Sequence, residues 1–333
     1  MKELTITEKN EDQRLNKYLE RLLVNSGSGF IYRMLRKKNI TLNGKKAAGN
    51  EILKSGDVIK IFFSDETYEK LTGKPEERQV SFPDESRIIY EDPDILIYNK
   101  PAGMLTQKAG ESDVSVCEYL TGYLMKKGEA DSSSLSEYRP SAVNRLDRNT
   151  SGLVLCAKNL KAARVLSKMI KERSVKKEYL CIVRGKVTEE AELKGYLKKD
   201  VRRNTVSLTE DPEDGMYAET AYTPAGFCDK LNASVLMVDL KTGRTHQIRA
   251  QLAASGHPLA GDAKYGSAAW NEELKKKYGI KHQLLHAYRL TFPQDCEELE
   301  QLSGRIFEAE APFAYLYAGE KKGKDPGILS RNH

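Results

Sequence analysis

The sequence lacks several features that define common classes of protein. No stretch approaches the ~20 consecutive apolar residues of a membrane-spanning helix, and residues 1–10 are polar, without a signal-peptide core. We therefore expect a cytoplasmic protein that does not associate with membranes. The phosphate loop of the P-loop enzymes, the dinucleotide pattern G-x-G-x-x-G and the hydrolase pattern G-x-S-x-G are also missing.

Cysteine and histidine are scarce, with five of each among 333 residues. The cysteines form no C-x-x-C pair, and Cys156 and Cys181 lie in apolar runs, so we expect reduced core thiols. His282 and His286 have a spacing that could ligate a metal on a helix, but the residues around them predict a strand. We therefore predict no metal site at these histidines.

Positive charge is concentrated at one end of the chain. Residues 1–61 hold 13 Lys and Arg against 7 Asp and Glu, whereas the remainder is balanced at 41 of each. A solvated charged face would explain such a segment, but a small basic module ahead of a neutral body is also typical of a nucleic-acid anchor.

The basic segment has a recognisable order of predicted elements. Apolar spacing predicts helices over 13–24 and 29–38, and Asn43-Gly44 predicts a hairpin turn. We expect three cations of the second helix, Arg33, Arg36 and Lys37, to point outward and bind RNA. The pieces R-L-x-K-Y-L, R-x-L-R-K and L-N-G together resemble the α-L RNA-binding domain first described in a small-subunit ribosomal protein.

The stretch from Asn144 to Lys158 reads N-R-L-D-R-N-T-S-G-L-V-L-C-A-K. Its apolar run, Leu153–Ala157, predicts a buried strand, and the polar cluster before it predicts a loop held by that strand. Asp147 is the one carboxylate there, between two arginines that favour its ionised form, so it could act as a nucleophile or a proton acceptor. A structural Asp–Arg pair would also explain the pattern.

The residues R-L-D-R and T-S-G-L of this stretch resemble the signature H-R-L-D-x-x-T-S-G-L of the RluA-type pseudouridine synthases of the ribosomal large subunit. The resemblance implies that Asp147 is catalytic. Asn144 stands where the family usually has His, and Asn149 where it often has Asp. These two departures bear on substrate choice or rate more than on the reaction class.

Two later motifs also resemble the family. Tyr179, in K-E-Y-L-C-I-V-R-G, matches a tyrosine that packs against the target base and has been assigned a role as general base; a core aromatic residue is the alternative. The stretch R-T-H-Q-I-R predicts a helix over 246–255 with His246 and Arg249 on one face. The resemblance, rather than the spacing, implies that Arg249 pairs with Asp147. A solvated polar face is the alternative for this pair.

Three further residues are predicted to bind the substrate. We assign Arg145, Arg148 and His246 to substrate binding, although surface ion pairs would equally explain the two arginines. Between the second motif and this helix, residues 201–225 predict irregular strands and turns.

Together these features predict an α+β protein. We expect an α-L domain over 1–63, a linker over 64–86, a synthase domain over 87–318 with a mixed, largely antiparallel sheet, and a disordered tail over 319–333. The resemblance implies an enzyme that isomerises uridine to pseudouridine in large-subunit ribosomal RNA without a cofactor, and we expect a monomer. The alternatives are a non-catalytic ribosome-assembly protein, suggested by Asn144 and Asn149, and a hydrolase that uses Asp147, for which the sequence around Asp147 supplies no histidine.

Overall fold

The computed structural model describes residues 1–72, 80, 82–110, 113–131, 134–135, 138–296 and 298–317. Packing divides the chain into two compact units. The first comprises Met1–Pro83, Glu118–Ser141 and Lys158–Leu160, and the second comprises Asp84–Cys117, Ala142–Ala157 and the residues from Lys161 onward. The predicted bounds of the domains, 1–63 and 87–318, stay a prediction.

The helices are α1 Leu15–Leu22, α2 Ser28–Arg36, α3 Asp65–Thr72, α4 Val116–Lys127, α5 Leu160–Lys171, α6 Gln247–Ala254 and α7 Ala268–Tyr278. The strands are β1 Lys2–Thr5, β2 Ile40–Leu42, β3 Lys45–Lys46, β4 Val58–Ile61, β5 Ile88–Glu91, β6 Ile95–Lys100, β7 Ser141–Ala142, β8 Ser151–Ala157, β9 Lys176–Arg184, β10 Ala191–Asp200, β11 Thr205–Thr209, β12 Met216–Cys228, β13 Ala233–Leu240, β14 Leu285–Thr291 and β15 Ile306–Glu308.

The first unit is built on a four-stranded antiparallel sheet in the order β1-β4-β2-β3. The predicted hairpin is confirmed: β2 and β3 are joined through Asn43 and Gly44, both with positive φ, as a tight turn of this kind requires. Helices α1 and α2 form near the predicted positions and bury Leu15, Leu19 and Ile31 in one core with the sheet.

Helix α3 lies within the stretch that was expected to be a linker. Its Tyr68 and Leu71 pack against the core of the four-stranded sheet, and Asn25 donates a side-chain hydrogen bond to the carbonyl of Lys70 at 2.9 Å. Regular structure therefore continues to Thr72. Of the expected linker, residues 73–79 and 81 lie outside the described residues, as does the expected tail at 319–333.

The second unit contains a long sheet in the order β11-β10-β12-β13-β9-β14-β8-β6-β5, with β15 paired to β14. Along this path β8 and β14 run parallel, and the other neighbours are antiparallel. The predicted mixed, largely antiparallel sheet is therefore confirmed. Buried residues cover both faces of β8, which agrees with the strand expected at Leu153–Ala157.

A glycine permits the parallel contact between β8 and β14. Gly152 has φ +111°, and a Cβ atom built on it would lie 2.3 Å from the backbone oxygen of Ala287. A larger residue would push the strands apart, so the T-S-G segment brings the loop before β8 close to β14.

The strands and turns expected over 201–225 are present, and the strands are more regular than expected. Strands β11 and β12 both pair with β10 in antiparallel register, and one bulge lies between Pro224 and Gly226 where β12 pairs with β13. The alternation of apolar and polar residues is weak in this sequence because some outward positions carry apolar residues, such as Leu208 and Met216, both of them exposed. Among the described residues, no helix has the length and apolar character that crossing a bilayer demands.

Candidate active site

Hydrogen bonds from the segment after β6 hold the backbone of the loop of residues 143–150. The hydroxyl of Thr106 donates to the carbonyl of Leu146 at 3.0 Å and accepts its N–H at 3.1 Å. The Gly103 N–H donates to the carbonyl of Arg148 at 2.9 Å. Residues on both sides of Asp147 are therefore held, which sets the direction of its carboxylate before any ligand arrives.

Lys100, at the end of β6, supports the same loop from inside the protein. Its side chain is fully buried, and its Nζ lies within hydrogen-bond distance, 2.9–3.1 Å, of the carbonyl oxygens of Pro101, Met104 and Arg148. Burial lowers the pKa of Lys100 to about 7, although the charge of Asp147 opposes that shift. The amine of Lys100 therefore holds three backbone carbonyls together beneath the loop, although its burial disfavours the charged form.

Asn144 has a structural role in this loop. Its side-chain amide donates to the carbonyl of Leu153 at 3.1 Å, and its Oδ1 accepts the N–H of Leu155 at 2.8 Å. Both partners lie on β8, so Asn144 binds the entering chain to the strand that leaves the loop. Asn149 instead lines the open cleft beside Asp147.

Arg249 joins Asp147 to a second, fully buried carboxylate. Nη1 of Arg249 lies 2.7 Å from Oδ2 of Asp147, while Nε and Nη2 contact the two oxygens of Asp262 at 2.7 and 2.9 Å. The two-pronged pair with Asp262 fixes the plane of the guanidinium, so only Nη1 remains to hold Asp147.

Asp262 is suited to anchor that arginine. Burial alone would raise the pKa of Asp262, but the hydrogen bonds and charge of Arg249 and the N–H groups of Lys264 and Tyr265 outweigh it and lower that pKa. The opposing charges raise the pKa of Arg249 despite its burial. Asp262 and Arg249 therefore form a charged pair, and Arg249 also reaches the partly exposed Asp147.

His246 also faces Asp147, but not from within a helix as expected. It precedes α6 in a left-handed conformation with φ 52°. Its Nε2 lies 3.8 Å from Oδ2 of Asp147, and its Nδ1 lies 2.9 Å from the hydroxyl of Tyr265. The predicted proximity to Arg249 thus arises because both side chains converge on Asp147.

Tyr179 lies on β9 beside the same carboxylate. It is 6% exposed, and it lines a small cavity of about 80 Å³ together with Asp147, Ile248 and Leu285. Burial, and then the charge of Asp147, raise the pKa of Tyr179 above its ordinary value. The hydroxyl therefore keeps its proton at neutral pH, and the ring offers an apolar wall next to a charged group.

A larger cleft of about 630 Å³ continues from Asp147 over the surface of the second unit. Among the described residues that line it, Asp147 is the only carboxylate. The cationic lining residues are Lys108, Arg145, Arg148, Lys199, Arg244, Arg249, Lys264 and Lys281. Arg145 and Arg148 are exposed, so the cleft presents a strongly positive surface to an anionic ligand.

The other predicted RNA contacts belong to the first unit. Arg33, Arg36 and Lys37 lie at the end of α2 and are exposed, whereas Ile31 and Leu35 of the same helix are buried. The outward orientation predicted for the three cations is therefore confirmed. Their contact with RNA stays a prediction.

The histidine pair suggested as a metal site is separated. His286 is buried on β14, where its ring nitrogens lie 2.8 Å from the Ser151 hydroxyl and 2.8 Å from the Ala309 carbonyl. Burial lowers the pKa of His286 to about 4. His282 lies in the cleft lining instead. No group of three or more His, Cys, Asp or Glu side chains that could hold a metal occurs among the described residues.

Sequence reasoning missed three members of the site. These are Asp262, Tyr265 and Lys100. The one local signal for Lys100 is its place at the end of a predicted strand, where only Asn99 separates it from the apolar run I-L-I-Y. Nothing local marks Asp262, because its partner Arg249 lies on a separate element.

Comparison with known proteins agrees with this arrangement. The family model described as RNA pseudouridylate synthase matches residues 94–254. The chain is 30% identical over 321 residues to the ribosomal large subunit pseudouridine synthase C of Haemophilus influenzae, covering 90% of each chain. It is also 30% identical over 311 residues to the protein of the same name from Pasteurella multocida, covering 88% of this chain and 86% of the relative.

A solved structure is similar as well. Human RNA pseudouridylate synthase domain containing 1 superposes with a TM-score of 0.53 at 24% identity, over 74% of this chain and 89% of the human chain. At that identity the likeness concerns the fold, which is a pseudouridine synthase fold.

Proposed function

Because this chain belongs to the RluA-type RNA pseudouridine synthases, which isomerise uridine to pseudouridine, we propose that Asp147 is its catalytic carboxylate and that large-subunit ribosomal RNA is its substrate. The proposal that Asp147 is catalytic rests on the position of this residue. It is the only carboxylate among the described lining residues of a cationic cleft, and it is held by a buried arginine.

The reaction detaches uracil from C1′ of the ribose, rotates it and rejoins it through C5. A carboxylate can begin this by attacking C1′, or by removing a proton from C2′ to give a glycal. Both routes require a free carboxylate oxygen at the ribose of a nucleotide that has left its stack. Asp147 offers such an oxygen, since Arg249 and His246 both approach Oδ2.

Tyr179 and Arg249 complete the proposed catalytic set. We propose that the Tyr179 ring packs against the target base, which agrees with its place in the cavity beside Asp147. A protonated hydroxyl in this position would serve better as a hydrogen-bond donor than as a resting general base. Arg249 would keep the Asp147 carboxylate correctly directed while the ribose reacts.

Phosphate binding falls to the exposed cations in this proposal. Arg145, Arg148 and His246 adjoin Asp147 and would hold the extruded nucleotide and its flanking phosphates. Arg33, Arg36 and Lys37 would supply affinity that is independent of sequence, from an N-terminal α-L module over residues 1–63. The names of the Haemophilus and Pasteurella relatives support large-subunit ribosomal RNA as the target.

Replacing Asp147 by Asn tests the catalytic assignment. The substrate is ribosomal RNA labelled with tritium at C5 of uridine, and the readout is tritium release. We expect Asp147→Asn to bind RNA but to lose turnover by about 10³-fold or more, because an amide neither attacks nor accepts a proton.

Asp239→Asn is the matched control, because Asp239 pairs with Lys241 on β13 and does not line the cleft. It should keep normal turnover. Substantial tritium release by Asp147→Asn would reject the assignment. Absence of release by the wild-type protein, together with tight RNA binding, would favour the ribosome-assembly alternative. Mapping pseudouridines in cells with and without the protein tests the substrate, and a change confined to transfer RNA would contradict it.

A further inference from the structure

Tyr265 connects three parts of the second unit through one hydroxyl group. It follows the loop that carries Asp262, and its oxygen accepts the backbone N–H of Val206 on β11 at 2.8 Å. The same oxygen lies 2.9 Å from Nδ1 of His246. The guanidinium of Arg249 lies over the Tyr265 ring, 5.2 Å from its centre. Both groups that approach Asp147 therefore touch this tyrosine.

The Val206 contact favours one direction for the hydrogen bond between Tyr265 and His246. A backbone N–H can only donate, so the Val206 amide occupies a lone pair of the Tyr265 oxygen. Burial raises the pKa of Tyr265, so the hydroxyl keeps its single proton, and Nδ1 of His246 is the acceptor within reach. Nδ1 is then unprotonated, and the ring hydrogen of a neutral His246 resides on Nε2.

That tautomer places the N–H group of the His246 ring next to the Asp147 carboxylate. Nε2 is the nitrogen that faces Oδ2 of Asp147, at 3.8 Å, and the side chain is only 7% exposed. Burial also lowers the pKa of His246, which favours the neutral ring. The opposite tautomer would aim a lone pair at the Asp147 carboxylate, and two acceptors would then face each other at the reacting centre.

We propose that Tyr265 is a positioning residue that holds His246 as the Nε2–H tautomer, with its donor aimed at Asp147 and at the nucleotide that reacts there. The chain of bonds begins at β11, so the hairpin of β10 and β11 defines the direction of a donor at the active site. The catalytic consequence rests on the proposed role of Asp147, whereas the tautomer itself does not.

The tautomer is measurable without RNA and without activity. Nitrogen-15 NMR of histidine-labelled protein distinguishes the two ring nitrogens, and His246→Gln identifies the signal of His246. At neutral pH we expect the Nε2–H form in the wild type and a shift towards the Nδ1–H form in Tyr265→Phe. A wild-type Nδ1–H or charged ring, or an unchanged pattern in Tyr265→Phe, would overturn the proposal even if Asp147 proves catalytic.

Tyr278→Phe is the matched control for that measurement. It also removes one tyrosine hydroxyl, which donates to the carbonyl of Lys230 at 2.8 Å away from the cleft lining. Its His246 signal should equal that of the wild type. In turnover assays we expect Tyr265→Phe to lower kcat about 10-fold with little change in KM, the worth of one hydrogen bond used in the transition state, while Tyr278→Phe changes neither.

A second pair of variants keeps the test valid if Tyr265→Phe folds poorly. The amide of glutamine reaches the position of Nε2, whereas that of asparagine reaches only the position of Nδ1. His246→Gln can therefore still donate towards Asp147, and His246→Asn can only meet Tyr265. We expect kcat of His246→Gln to exceed that of His246→Asn by about 10-fold. Equal values, or the reverse order, would show that the donor at Nε2 is not what the site uses.

Discussion

The Asp147 cleft and the N-terminal basic module use cationic side chains in opposite environments. Arg249 is 5% exposed and bonded to two carboxylates, and Lys100 is fully buried among carbonyls. Arg33, Arg36 and Lys37 on α2 are exposed, and they make no ion pair with any described residue. Buried cations fix neighbouring groups in space, whereas exposed ones remain available to a mobile anion. The two regions should therefore respond differently to substitution.

The largest effect should come from Arg249→Ala. It leaves Asp262, a fully buried carboxylate, without its charge partner, which typically costs about 3–5 kcal/mol of unfolding free energy. Asp147 loses its orientation at the same time. We expect urea unfolding at lower concentration and a turnover reduced by about 100-fold or more. Arg249→Lys should recover little, since an ammonium cannot bind both carboxylates in the same geometry.

The matched control for that variant is Arg289→Ala. Arg289 also bridges two carboxylates, Glu178 and Glu308, but it is more exposed and does not line the cleft. It should cost less stability and leave kcat intact. Equal losses of stability in the two variants, with normal turnover in both, would contradict the special role assigned to Arg249.

Substitutions in the basic module should have smaller effects, and these should concern RNA binding alone. Replacing Arg33, Arg36 and Lys37 together by alanine should raise KM for ribosomal RNA about 10-fold and leave kcat unchanged, because these contacts contribute equally to bound substrate and transition state. The slope of log affinity against log salt should become shallower by about 2–3.

A triple alanine variant at Lys275, Lys276 and Lys277 on α7 removes the same charge for comparison. Lys276 and Lys277 already pair with glutamates on their own helix. Its salt slope should stay close to that of the wild type. A similar slope change in both triple variants would mean that net charge, rather than the position on α2, attracts the RNA.

The sequence predicted the two regions unequally well. Helices α1 and α2, the hairpin at Asn43-Gly44 and strand β8 depend on local periodicity and turn chemistry, and they formed near the expected bounds. The convergence at Asp147 depends on the order of strands in a long sheet. Asp147 and Arg249 are 102 positions apart in the chain, and no local signal marks their contact, which was expected from family resemblance alone.

Three departures from the expected structure have identifiable physical causes. The strands over 201–225 are more regular than expected, because exposed apolar residues on β11 and β12 conceal their alternation in the sequence. The linker was expected from polar composition, which cannot reveal that Tyr68 and Leu71 dock a helix on the N-terminal core. His246 was expected inside a helix, but its backbone takes a left-handed conformation, which histidine tolerates more readily than most residues.

The smallest predicted effect concerns the other buried cation, Lys100, and appears in the pH dependence of stability. Burial lowers the pKa of Lys100 to about 7 from an ordinary value of 10.5. Between these two values the unfolded chain binds a proton that the folded protein has released, so the free energy of unfolding should rise with pH. Lys100→Met removes this term. The wild type should therefore gain stability relative to Lys100→Met between pH 7 and pH 8, by less than about 1.4 kcal/mol.

Lys241→Met provides the control of opposite sign. A hydrogen bond to Asp239 raises the pKa of Lys241, so the stability that this lysine contributes is fully present below the pKa of the unfolded chain, near 10.5, and is lost only at higher pH. Its difference from the wild type should thus be constant between pH 7 and pH 8. Urea unfolding of the three proteins across that interval decides the matter. A constant difference for Lys100→Met as well would mean that Lys100 stays charged beneath the loop, and that its three carbonyls compensate for burial as fully as water would.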